Sequence, residues 1–95
     1  MTLISESEFG KICNGIYEDR VVICKHNPIG AQEETLLWML LSCLISYLNL
    51  SELEIPCFTG VPNAETYRQA ILSVLKNRKN GDFAAESYLN KLTEL

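Results

Sequence analysis

The sequence predicts a mainly α fold in which about four helices pack around a central apolar helix at residues 32–50. Apolar residues recur at helical spacing in four segments, and the segment 36–50 is apolar in almost every direction. The chain has 95 residues, and a chain of this size buries roughly 60–65% of the surface that its unfolded form exposes. We therefore expect one compact domain over residues 1–95.

The first helix has the clearest start signal. Ser5 and Glu8 have the spacing of a capping box, in which each side chain accepts a hydrogen bond from the backbone N–H of the other residue. Ile4 and Phe9 have the spacing of a hydrophobic staple around this box. We expect a helix over residues 6–19 with one apolar face, formed by Phe9, Ile12, Cys13, Ile16 and Tyr17.

Two segments are compatible with a small amount of β-structure. Residues 21–26 are a β-branched run that ends at the turn-forming residues 27–30. Residues 53–58 begin with alternating apolar and acidic side chains, and Pro56 restricts any strand there to a sheet edge. A short strand at 21–26 that pairs with 53–58 gives an α+β variant of the fold, although two strands alone are marginally stable in water.

The central helix begins with acidic residues, Glu33 and Glu34, at the positive end of its dipole. Its few polar residues, Ser42, Ser46 and Asn49, fall on one narrow stripe together with Trp38 and Met39. The 15 apolar-rich residues from 36 to 50 span about 22 Å as a helix, whereas a bilayer core is about 30 Å thick. We therefore expect a buried central helix and no membrane span.

Three flanking helices can cover only three sides of this central helix. The fourth side contains Trp38, Met39, Ser42 and Ser46. Leaving large apolar side chains in water forgoes roughly 1.5–3 kcal/mol each. Either the loop around Phe58 and the short strands cover this side, or a second chain does, with a symmetric homodimer as the default.

Two further helices are expected in the last third of the chain. Asn63 is a good N-cap for a helix that runs to about Lys79. Gly81 follows Asn80 and is suited to the left-handed conformation that ends a helix. Asp82 is the expected cap of a fourth helix, which extends over residues 83–95.

The charge balance limits the class of partner. Eight Lys and Arg residues against 12 Asp and Glu residues give a net charge of −4, and no Lys or Arg lies between Lys25 and Arg68. Nucleic acid and anionic membrane surfaces both need clustered cations, so neither is an expected partner. The N-terminal residues lack the pattern of a signal peptide, and the four cysteines are not spaced as pairs. We expect a cytoplasmic protein with reduced thiols.

The sequence offers little for catalysis or metal binding. Cys24 and His26 share one face of the expected strand. In that position they have the chemistry of two metal ligands, or of a nucleophile and its base. The chain has no second histidine, and no glycine-rich turn or nucleophile elbow accompanies the pair. We therefore expect no metal, no cofactor and no enzymatic activity.

The sequence favours a small accessory or regulatory module that binds another protein, which includes a second copy of itself. Aromatic side chains dominate interface energetics, so the expected anchors are Trp38, Tyr47 and Phe58. Two alternatives stay open. One is an acidic inhibitor of the immunity type, which neutralises a basic enzyme. The other is a thiol-dependent or small-ligand activity built on Cys24, His26 and Cys57.

Overall fold

One helix lies at the centre of the packing. The computed structural model describes residues 3–18, 32–58 and 60–93. Their regular structure is four α-helices, which confirms the mainly α fold. The helices are α1 (Glu6–Glu18), α2 (Gln32–Leu48), α3 (Ala64–Leu75) and α4 (Ala85–Thr93).

Helix α2 is the predicted central helix, since it packs against α1, α3 and α4. Its buried side chains are Leu36, Leu37, Leu40, Leu41, Leu44 and Leu48. The helix ends at Leu48, two residues before the predicted end. Asn49 has a φ of 51°, its N–H donates to the Ser46 carbonyl, and the Leu50 N–H donates to the Ile45 carbonyl. These two bonds form a Schellman motif, which ends the helix.

Helix α1 begins with the predicted capping box. The Ser5 N–H donates to Glu8 Oε2 and the Glu8 N–H donates to Ser5 Oγ, both at 3.2 Å. Ile4 and Phe9 are fully buried. A methyl group on Gly10 would lie 3.0 Å from Cε1 of Tyr88, so the absence of a side chain there lets α1 and α4 approach closely.

The predicted end of the third helix at Lys79 is wrong, because α3 stops at Leu75 and residues 76–78 form a turn. Lys79 instead forms an isolated parallel β-bridge with Ile4. The Ile4 N–H donates to the Arg78 carbonyl, and the Asn80 N–H donates to the Ile4 carbonyl at 2.9 Å. These hydrogen bonds to a residue ahead of α1 replace the last predicted turn of helix.

The start of the fourth helix also differs from the prediction. Residues 82–84 are not helical, and α4 begins at Ala85, so Asp82 is not its cap. Phe83 is buried, with its ring centroid 5.9 Å from that of Phe9. The chain therefore places an aromatic ring in the core before the helix begins.

The predicted strand at 53–58 is wrong, because these residues form a turn and a loop. The N–H and hydroxyl of Ser51 donate to Glu54 Oε2 at 2.9 and 3.0 Å, and the Glu54 N–H donates to the Ser51 carbonyl. This closed turn prevents Leu53 and Glu54 from continuing an extended strand. The partner segment predicted at 21–26 lies outside the described residues.

The helices found in the described ranges are too short or too polar to cross a membrane. The most apolar of them, α2, has 17 residues.

Candidate docking surface

One side of α2 is not covered by the other described helices. Trp38 is 54% exposed and Tyr47 is 46% exposed, whereas Leu40 and Leu44, on the same helix, are fully buried. This side, called the uncovered face below, consists of Trp38, Met39, Ser42, Cys43, Ser46 and Tyr47. It contains the four residues that the sequence placed on the fourth side of the helix.

Trp38 and Tyr47 lie at opposite edges of the uncovered face. They are nine positions apart, which at 3.6 residues per turn places them about 180° apart around the helix. The small residues Ser42 and Ser46 lie between them, together with Met39 and Cys43. The two serines allow another chain to approach this part of the helix closely.

A groove runs along the Tyr47 edge, between α1 and α2. Helix α1 contributes Lys11, Ile12, Gly15 and Ile16 to its lining. Helix α2 contributes Met39, Cys43, Ser46 and Tyr47. The groove has a volume of about 550 Å³, and among the described residues that line it Lys11 alone is charged. We call it the α1–α2 groove.

Tyr47 connects the end of α2 to the start of α1. Its hydroxyl lies on the side of the Glu8 carboxylate, which also completes the capping box. Partial desolvation and the neighbouring Glu8 carboxylate raise the pKa of the Tyr47 phenol. The phenol therefore stays neutral at neutral pH.

The Trp38 edge has a different neighbour. Trp38 and Tyr67 of α3 line a shallow depression of about 220 Å³ together with Glu34 and Thr35. The ring of Tyr67 packs edge-on against Phe58, with 5.6 Å between the centroids and 78° between the planes. Phe58 is half-buried, so it supports Tyr67 more than it projects from the surface.

The three predicted anchors therefore do not form one cluster. Trp38 shares a depression with Tyr67 and Phe58 packs against the Tyr67 ring, while Tyr47 is at the other edge of the uncovered face. The sequence analysis did not name Tyr67 as an anchor, and it did not predict the α1–α2 groove. One signal for the groove was present, since Gly15 is a glycine within the last turn of α1.

The charges near the uncovered face lie at its two edges. Helix α2 has no charged residue from Thr35 to its end. Glu34 lies beside Trp38, and Lys11 lies in the α1–α2 groove. Within the described part of the chain, the ion pairs are Arg68 with Glu33 and Arg78 with Glu54, so neither Glu34 nor Lys11 is paired there.

The cysteines give no support to a thiol-based site. Burial raises the pKa of the Cys13 thiol to about 12, partly countered by Lys91, and a protonated thiol is a poor nucleophile. Cys43 and Cys57 are free and exposed, while Cys24 and His26 lie outside the described residues. Where the chain is described, no three His, Cys, Asp or Glu side chains are grouped as metal ligands.

Comparison with known proteins does not assign the chain to a family. No family model matches the chain, and neither the curated proteins nor the solved structures contain a significant match to it.

Proposed function

We propose that the protein acts by binding another polypeptide chain through the uncovered face of α2, as a regulatory or accessory module rather than as an enzyme. The observation that carries the proposal is the exposure of Trp38 on a helix whose opposite side forms the core. Covering the exposed half of Trp38 and of Tyr47 removes on the order of 100 Å² from water for each ring. At about 25 cal/mol per Å², this contributes about 2.5 kcal/mol per ring.

The composition of the face supports a protein partner. Interface centres are depleted in charged residues and enriched in aromatic residues and Met. The uncovered face has this composition, with Trp38, Tyr47 and Met39 and no charged side chain. A nucleic acid would require several cations to contact its phosphates, and Lys11 is the one cation that the described residues place at this surface.

The lack of charged side chains on the uncovered face weakens the alternative of an acidic inhibitor. Such a protein would meet a basic enzyme with carboxylates in its contact surface. Among the described residues, the carboxylates of Glu34 and Glu8 lie at the edges of the uncovered face rather than within it.

Photo-crosslinking in the native cells tests the proposal. The full chain is produced with the photoreactive residue p-benzoylphenylalanine in place of Trp38, and in a control chain in place of Glu86, which is exposed on α4. We expect a discrete crosslinked band from position 38 and none from position 86. The absence of a band from position 38, or the same bands from both positions, contradicts the proposal. The mass of the band separates a second copy from a different protein.

A further inference from the structure

We propose that the partner is a second copy of this chain, related by a two-fold axis that places Trp38 of each copy in the α1–α2 groove of the other. This inference rests on the proposed function and names the partner. It is argued from shape, from charge, from Gly15 and from area.

The shape argument is that one surface carries both a projection and a recess. The projection is Trp38, which is 54% exposed at one edge of the uncovered face, and the recess is the α1–α2 groove at the other edge. A two-fold axis that passes between the two edges, near Ser42, exchanges them. Each projection then meets the recess of the other copy, which is the self-complementarity that a symmetric dimer requires. The groove is open to solvent and has a volume of about 550 Å³, so a side chain of a second copy can enter it.

The charge argument follows the same symmetry. The projection has an acid beside it, Glu34, and the groove has a base in its wall, Lys11. Glu34 lies four residues, about one helical turn, before Trp38. Seating Trp38 in the groove brings the Glu34 carboxylate to the side of the other copy where Lys11 lies. Two reciprocal ion pairs result, formed by groups that have no ion-pair partner among the described residues of their own chain.

The third argument is the glycine in the groove. Glycine is the least favourable residue for a helix interior apart from proline, so a glycine there needs a packing reason. Gly10 has one, because a methyl group would meet the Tyr88 ring. At Gly15 a methyl group would have no atom of the described residues within 4 Å. A Trp38 side chain from a second copy supplies the packing reason.

The fourth argument is area, which separates a second copy from a single docked helix. Helix α2 has 17 residues and is about 25 Å long, and α1 and α3 flank it at helix-packing distances of about 10 Å. A partner that spans all three covers roughly 25 by 30 Å, or about 750 Å², close to the roughly 800 Å² per partner of a standard interface. A single helix laid along α2 covers a strip about 10 Å wide and leaves Trp38 or Tyr47 exposed. Only a partner as wide as this chain covers both edges.

Sedimentation equilibrium of the full chain over a range of concentrations is the first test. We expect a monomer–dimer equilibrium. Gly15→Glu should raise the dimer dissociation constant about 100-fold or more, because it places a charged side chain in the groove. The matched control is Asn14→Glu, which makes the same residue at an adjacent, exposed position of α1 outside the groove. The control should change the constant less than about threefold, and an equal effect of both variants contradicts the inference.

A charge-swap experiment tests the two-fold arrangement itself. Lys11→Glu and Glu34→Lys should each weaken the dimer about tenfold or more, because each homodimer then faces like charges. An equal mixture of the two variants should restore association, since a mixed dimer has two opposite-charge pairs. A mixture that stays as weak as its components overturns the arrangement.

These results separate the two proposals. If the chain is monomeric at every concentration while position 38 crosslinks to another protein, the proposal that the partner is a second copy is overturned. The proposed function stays in place. A monomer without any crosslink at position 38 overturns both.

Discussion

The ring of Tyr88 packs edge-on against the ring of Phe9, with centroids 5.5 Å apart and planes at 81°. This contact joins α4 to α1 directly beside Gly10, and the Tyr88 hydroxyl also donates a hydrogen bond to Glu6 at 3.4 Å. The Tyr88 side chain is therefore held by the Phe9 ring and by the hydrogen bond of its hydroxyl. Edge-to-face pairs of this kind contribute about 0.5–1.5 kcal/mol beyond the area that they bury.

The two glycines of α1 should respond in opposite directions to the same substitution. In the dilute monomer, Gly15→Ala should raise the free energy of unfolding by up to about 1 kcal/mol, because alanine favours the helix and no atom of the described residues lies within 4 Å of the added methyl group. Gly10→Ala should lower it by about 1 kcal/mol, because the new methyl group displaces the fixed Tyr88 ring. Urea unfolding of both variants at the same dilute protein concentration measures the difference. A higher free energy of unfolding for Gly10→Ala contradicts the close packing of α1 on α4.

The capping box should contribute measurably to stability. Ser5→Ala removes the oxygen that accepts the Glu8 N–H and should cost about 1 kcal/mol in the free energy of unfolding. Ser7→Ala is the matched control, since Ser7 is exposed in the first turn of the same helix. Urea unfolding should show a loss for Ser5→Ala and almost none for Ser7→Ala.

Glu54 should make stability depend on pH in the acid range. Hydrogen bonds from Ser51, together with Arg78, lower the pKa of the Glu54 carboxyl below its ordinary value of 4.5. A carboxylate with a lowered folded-state pKa stabilises the fold above its unfolded pKa, and this contribution is lost as the pH falls through the folded value. Glu54→Gln should therefore flatten the stability profile below about pH 4.5. The matched control, Glu52→Gln, removes the same charge from the same exposed turn, and an equal flattening by both variants counts against the prediction.

Trp38 is the only tryptophan, so its fluorescence reports the state of the uncovered face. In the monomer, acrylamide should quench this fluorescence efficiently, since 54% of the residue is exposed. As the protein concentration rises and the dimer forms, quenching should fall and the emission should shift to shorter wavelength. The Gly15→Glu variant should stay quenchable throughout, and quenching of the wild-type chain that does not change with concentration would argue against burial of Trp38.

The thiols should differ in their reaction with iodoacetamide. Cys13 should stay unmodified in the folded chain, because it is buried and its pKa is raised to about 12. Cys57 should react freely, since it is exposed in the loop after α2. Cys43 lines the α1–α2 groove and should react freely in Gly15→Glu but slowly in the wild-type dimer. Mass spectrometry of proteolytic peptides measures each site.

The sequence predicted those features of the fold that depend on neighbouring residues. The capping box of Ser5 and Glu8 and the cap at Asn63 are local, and each is observed. The end of α3 was missed because it depends on Ile4, which is close in space and far away in the chain. The strand at 53–58 was missed because side-chain alternation does not reveal that Glu54 folds back onto Ser51.

The candidate surface was predicted in part for the same reason. The polar stripe on the central helix identified the side with Trp38 and Ser46, because that stripe is a property of one helix. The groove beside Tyr47 depends on where α1 crosses α2, which no single segment encodes. Phe58 was grouped with the other two aromatic residues on chemistry alone, and the position of α3 places Tyr67 beside it instead.

The bridge between Ile4 and Lys79 has a consequence for the order of folding. It joins residues from opposite ends of the chain, so forming it early would require closing a very long loop. Helices α2 and α3 contact each other over a shorter stretch and are expected to assemble first. The bridge is therefore expected to form last during folding and to break first during unfolding. Substitutions at Ile4 should accelerate unfolding far more than they slow refolding.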